Sequence, residues 1–122
     1  MGIKLINYIF DNNTSNGILF EKAIDYDMNN SQLQFKGIFV RYLADFYFEL
    51  PATYQQEKNK IHSFLVNNAT ACKAREQANT GLANGFWNES SGKSIYGSIE
   101  TTAALDLYIA TFKVETGNKG DI

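Results

Sequence analysis

At 122 residues the chain has room for one modest domain, and its 44% hydrophobic and 20% charged residues are ordinary for a globular protein. Those proportions exclude wholesale disorder. A net charge of −2 and a pI near 5.3 give no electrostatic basis for binding nucleic acid or an acidic membrane surface.

Leu5, Ile6, Ile9 and Phe10 recur at helical spacing, so Ile3 to Phe10 reads as a helix that the polar cluster Asp11 to Asn16 ends. It begins almost at Met1 without a convincing cap, which suggests upstream sequence. No sustained apolar region or small-residue cleavage site follows Met1, so no signal peptide is expected in this chain. Gly17 to Asp27 contains a short extended segment, Gly17-Ile18-Leu19-Phe20-Glu21, in a connection long enough to suggest function.

Ser31 and Gln34 then form a Ser-x-x-Gln capping box, opening a helix that runs to about Leu50, where Pro51 stops it or begins the next one. Phe35, Ile38, Phe39, Tyr42, Leu43, Phe46, Tyr47 and Leu50 make a wide apolar stripe, with Val40 and Phe48 elsewhere on the wheel. A helix apolar nearly all round is expected to be buried. The next, about Ala52 to Glu76, carries Tyr54, Ile61, Phe64, Leu65, Ala69 and Cys72 on one face and polar residues on the other. It reads as a surface helix with one buried stripe.

Asn79 to Gly97 is rich in Gly, Asn and Ser and holds the only tryptophan, Trp87. A last helix is expected from about Ser98 to Lys113, followed by a mobile polar tail over 115–122. No apolar run approaches the roughly 20 residues of a membrane span. A buried helix, a tight turn, an amphipathic helix, a glycine-rich loop and another apolar helix fit an all-α (α/α) toroid. There the inner helices touch protein on more sides than the outer ones.

Few residues suggest chemistry. Cys72 is the single cysteine and His62 the single histidine, which together make neither a disulfide nor a metal site; Cys72 reads as a small buried apolar residue, and no metal or cofactor is expected. Lys36 and Arg41 place two cations in an apolar helix, where each must reach water, a carboxylate or a ligand. Asp45, one turn from Arg41, is one carboxylate the spacing offers. Gly37 costs about 1 kcal/mol against alanine in a helix, so another backbone or a ligand is expected to pack there.

Glu21, Asp25 and Asp27 are either solvated loop acids or members of the carboxylate pair that glycoside hydrolysis uses. Trp87, with Phe86 and Tyr96 among glycines, either stacks on a sugar or anchors its loop to the core. Asn12-Asn13-Thr14 and Asn68-Ala69-Thr70 are glycosylation sequons, of a kind chance supplies in an asparagine-rich chain.

Gly17-Ile18-Leu19-Phe20-Glu21, Gln34 to Leu43, Phe64 to Ala71, Gly85-Phe86-Trp87 and Thr101 to Leu107 resemble, in this order, the C-terminal third of glycoside hydrolase family 76. Phe35-Lys36-Gly37-Ile38-Phe39-Val40-Arg41 is the most specific of these stretches. The resemblance implies residues 1–122 as the C-terminal portion of an (α/α)6 domain and retaining hydrolysis of α-1,6-linked mannan. It also implies an extracytoplasmic location, and Glu21, Gln34, Lys36, Arg41 and Trp87 as residues that line or support the cleft. The implied ligand is mannan or a mannose-containing oligosaccharide, and the implied partner is the rest of the domain or another copy of the chain. The family's nucleophile and acid/base form an adjacent Asp-Asp pair on an earlier inner helix. No Asp-Asp occurs here, and Glu100 stands where the family more often has glutamine. The alternatives are a non-catalytic carbohydrate-binding module and a helical scaffold that joins a companion chain.

Overall fold

The computed structural model describes residues 2–15, 17–19, 30–75, 87 and 98–118, with backbone alone at 15, 30–35 and 98–100. In chain order these form α1 (Gly2–Asn12), β1 (Thr14–Ser15), β2 (Ile18–Leu19), α2 (Asn30–Glu49), a 3₁₀ turn (Ala52–Tyr54), α3 (Gln55–Ala74) and α4 (Ser98–Thr116). Among the described residues the protein is all-α apart from β1 and β2, which pair antiparallel with Thr14 opposite Leu19 and Ser15 opposite Ile18.

Local chemistry sets the helix ends. At the close of α1 the Asn13 amide donates to Ile9 O at 2.8 Å, and the Thr14 hydroxyl donates to Phe10 O at 2.6 Å. The polar cluster thus supplies donors for carbonyls that the helix leaves open. Gly17, at φ +81, makes the turn into β2, a conformation that a Cβ would penalise. Pro51 ends α2 by disfavouring helical backbone at Leu50, and Tyr54 N bonds Pro51 O at 3.0 Å to start the 3₁₀ turn. The capping box at Ser31 and Gln34 falls on side chains outside the described residues.

At the other end of the chain α4 runs three residues beyond Lys113. Gly117, at φ +71, closes it, and Asn118 N bonds Lys113 O at 3.0 Å. This is the pattern of a left-handed glycine cap. Glu115 and Thr116 are therefore helical, which corrects the expectation of a tail from 115; residues 119–122 lie outside the described residues.

Pairings across the helices fix their directions. Phe39 meets the ring of Phe64, and Lys58 Nζ lies over Tyr47, so α2 and α3 run antiparallel. Tyr108 bonds Cys72 Sγ at 3.5 Å, Thr111 bonds Leu65 O at 3.3 Å, and Glu115 lies beside His62. These pairs make α4 antiparallel to α3 as well, so α2 and α4 run parallel. Phe10 stacks on Phe64 at 4.5 Å, and α1 lies on the α3 side of α2. The helices therefore form two layers, α2 and α4 in one, α1 and α3 in the other.

The core lies between the layers and along the α2–α4 seam. Val40, Leu43, Ala44, Ile61, Leu65, Cys72, Ala103, Ala104, Leu107, Ala110 and Val114 are buried there. Each large aliphatic among them contributes about 1.5–3 kcal/mol by leaving water. The alanines on α4 let α2 approach closely.

Two expectations about apolar faces need correction. Tyr42 is 68% exposed and Ile38 is also open, so α2 is not buried all round. Its seam with α4 is closed, but the side toward α1 leaves a groove. Tyr54 falls in the 3₁₀ turn before α3 and is exposed, while on α3 Asn68, one turn from Phe64 and from Cys72, is fully buried in the stripe. A buried amide needs partners, and Asn68 has three. Its Oδ1 accepts from Leu19 N at 2.8 Å, and its Nδ2 donates to Phe64 O at 2.8 Å and Gly17 O at 3.2 Å. One side chain thus pins the β1–β2 hairpin to α3.

Candidate functional site at the α2–α4 seam

The motif that stands out in the sequence, Lys36-Gly37 with Arg41, lies along the seam of the two parallel helices. A Cβ at Gly37 would sit 2.7 Å from Asp106 Oδ2 and 3.0 Å from Ala103 Cα. Glycine is therefore what lets α4 lie against α2 at this point, as its helix penalty suggested. The packing partners are the Asp106 carboxylate and the Ala103 backbone.

Arg41 follows one turn later, and its Nε lies 3.8 Å from Asp106 Oδ1. The carboxylate that meets Arg41 thus comes from α4, instead of from Asp45 on the same helix. With the arginine side chain 60% exposed, the pair is worth about 0–1 kcal/mol. Its position is more informative than its energy. Phe39 faces α3, and Arg41, two residues on, points about 200° away around the helix. Tyr108 faces α3 from the other helix, and Asp106, two residues earlier, is offset by the same angle. Arg41 and Asp106 therefore stand on the open side of the α2/α4 layer, away from α1 and α3.

Lys36 occupies the opposite situation. It is 1% exposed, with Nζ 4.7 Å from the centroid of the Trp87 ring, and Trp87 is itself 1% exposed. A desolvated ammonium over an indole face gains about 2 kcal/mol from the ring quadrupole. Trp87 Nε1 is buried with no hydrogen-bond partner among the described residues, so packing and the lysine hold the ring. Of the two sequence readings of Trp87, anchor and exposed stacking platform, the burial matches the anchor.

Seam and layers bring Lys36, Gly37, Arg41 and Trp87 into one region but on different levels, Arg41 at the open surface and Lys36 with Trp87 beneath. Glu21 and the Gln34 side chain lie outside the described residues. Sequence reasoning missed Asp106, which has no local motif and reaches Arg41 only through the tertiary pairing of α2 with α4. His62 lies on α3 with Nε2 3.6 Å from Glu115 Oε1, away from this region. Among the described residues no cluster of His, Cys, Asp or Glu is arranged to hold a metal ion. Nor is any described helix long and apolar enough to cross a membrane.

An all-α protein with parallel helices in one layer and antiparallel partners behind them is the class that the fold and site define. Residues 3–119 match the model of glycosyl hydrolase family 76, and the chain belongs to that family. No curated protein and no solved structure matches it.

Proposed function

We propose that this chain is the C-terminal sector of an (α/α)6 glycoside hydrolase domain acting on α-1,6-linked mannan in an extracytoplasmic setting. α2 and α4 would belong to the inner ring and α1 and α3 to the outer. The observation that carries the reading is the family match over residues 3–119 in a chain without an Asp-Asp pair. The parallel course of α2 and α4 supports the toroid, because successive inner helices of such a ring run the same way. Glycosidic cleavage by retention needs two carboxyl groups about 5–5.5 Å apart, one as nucleophile and one as acid/base. In this reading an earlier inner helix supplies them, and the present chain supplies part of the cleft wall.

In this reading Arg41 would donate hydrogen bonds to sugar hydroxyls; its exposure and its ion pair with Asp106 support that role. Lys36 and Trp87 support that wall from behind, and Glu21 and Gln34 are assigned to the cleft by resemblance. The reading expects no hydrolysis of α-1,6-mannan oligosaccharides by the purified chain, measured as reducing-sugar release. Turnover by the chain alone would overturn it. In a complete family 76 domain, methionine at the positions matching Lys36 and Arg41 should lower mannan hydrolysis. Unchanged rates would remove both from the cleft.

A further inference from the structure

The α4 side of the seam carries Ala103, Asp106 and Ala110, one turn apart, and both alanines are buried. Alanines suit so close a contact; a carboxylate between them does not follow from packing. The Asp106 side chain is only 23% exposed, so it has given up much of its hydration. Its two oxygens have separate settings. Oδ2 fills the space beside Gly37, 2.7 Å from where a Cβ would stand, and Oδ1 lies 3.8 Å from Arg41 Nε. Stability does not account for this set of residues. Glycine weakens the helix, covering a carboxylate is unfavourable, and an ion pair with so exposed an arginine contributes little.

We infer that Asp106 is a positioning residue: seated in the gap that Gly37 leaves, it orders the Arg41 guanidinium on the open side of the α2/α4 layer for contact with oligosaccharide hydroxyls. The closest approach runs through Nε, the inner nitrogen, which leaves the two terminal amino groups of the guanidinium as donors for a ligand. A free arginine loses rotamer freedom when it binds, and a partner that restrains it beforehand lowers that cost. Gly37 acts one step further back. Any side chain there would push the carboxylate out of the seam, and Arg41, one turn on, would lose its restraint. The inference rests on the reading of Arg41 as a cleft residue. The order it ascribes to Arg41 is nevertheless measurable in this chain without sugar.

The first test is NMR relaxation of the Arg41 Nε–H group in the full chain. Its heteronuclear NOE should fall toward that of a free side chain in Asp106→Asn, and also in Gly37→Ala. An unchanged Arg41 signal in Asp106→Asn overturns the inference. Asp106→Ala should leave the midpoint of urea unfolding equal or higher, whereas a lower midpoint marks a residue kept for seam packing and also overturns it. The second test uses a complete family 76 domain with arginine and aspartate at the matching positions, assayed on α-1,6-mannan oligosaccharides. Asparagine in place of that aspartate should lower kcat/KM about fivefold, the scale of an exposed ion pair. Added to methionine at the Arg41 position, it should cause no further loss, because it acts through that arginine. Losses that multiply overturn the inference. An impaired Arg41 variant beside a fully active Asp106 variant overturns the inference and leaves the cleft reading standing. Full activity in both removes Arg41 from the cleft, and the reading and the inference fall together.

Discussion

The two sides of α2 differ in how they meet their neighbours. Toward α4 the contact is closed: Gly37 lies against Ala103 with no room for a methyl, and Val40 and Leu107 are fully buried. Toward α1 the same helix leaves a groove of about 590 Å³ with Ile38 and Tyr42 open to solvent. Residues of similar hydrophobicity line both sides. Apolar content therefore says that a helix face is fit for burial, and the small residues opposite it decide whether burial is achieved within this chain.

Stability measurements by urea denaturation, at concentrations where the chain is dilute, can break that contrast. Leu107→Ala empties a fully buried site at the seam and should cost about 3 kcal/mol. Asn68→Ala strands the buried Leu19 N–H and removes the part-buried bond to Gly17 O, and should cost about 2 kcal/mol, with loss of the β1–β2 hairpin signals by NMR. Gly37→Ala ought to stabilise a free helix by about 1 kcal/mol. Here the Ala103 backbone stands 3.0 Å from the new Cβ, so the sign reverses and a loss of about 1 kcal/mol is expected. A gain would mean the seam is looser than described. Tyr42→Ser, in the groove, should change stability by less than about 0.5 kcal/mol. A cost near that of Leu107→Ala would show the groove to be filled in the dilute chain.

Much of this architecture was legible in the chain. Helical spacing located the four helices, Pro51 marked the turn, and the Gly37 penalty anticipated a close approach by another backbone or a ligand, of which the structure shows the backbone of α4. What escaped was non-local. Arg41 has Asp45 one turn away, yet its partner is Asp106, which no local rule links to it. The burial of Asn68 could have been suspected, since it lies four residues from both Phe64 and Cys72 on the apolar stripe. Polarity argued against it, because a lone buried amide is costly until its partners are known. Whether Trp87 anchors or stacks was open from composition, since glycine-rich surroundings suit either role. The open side of α2 was also illegible, because periodicity cannot report whether a neighbour is present.

The Asn68 clamp has a practical consequence for production of the protein. Asn68-Ala69-Thr70 is a sequon, and oligosaccharyl transfer in a eukaryotic secretory route acts on Nδ2 while the chain is still unfolded. In the folded protein that nitrogen is buried and donates to Phe64 O and Gly17 O. A glycan attached there would compete directly with closure of the hairpin onto α3. Molecules modified at Asn68 should be retained as misfolded, so yield from such a host would depend on folding outrunning glycosylation, and a bacterial host would avoid the contest.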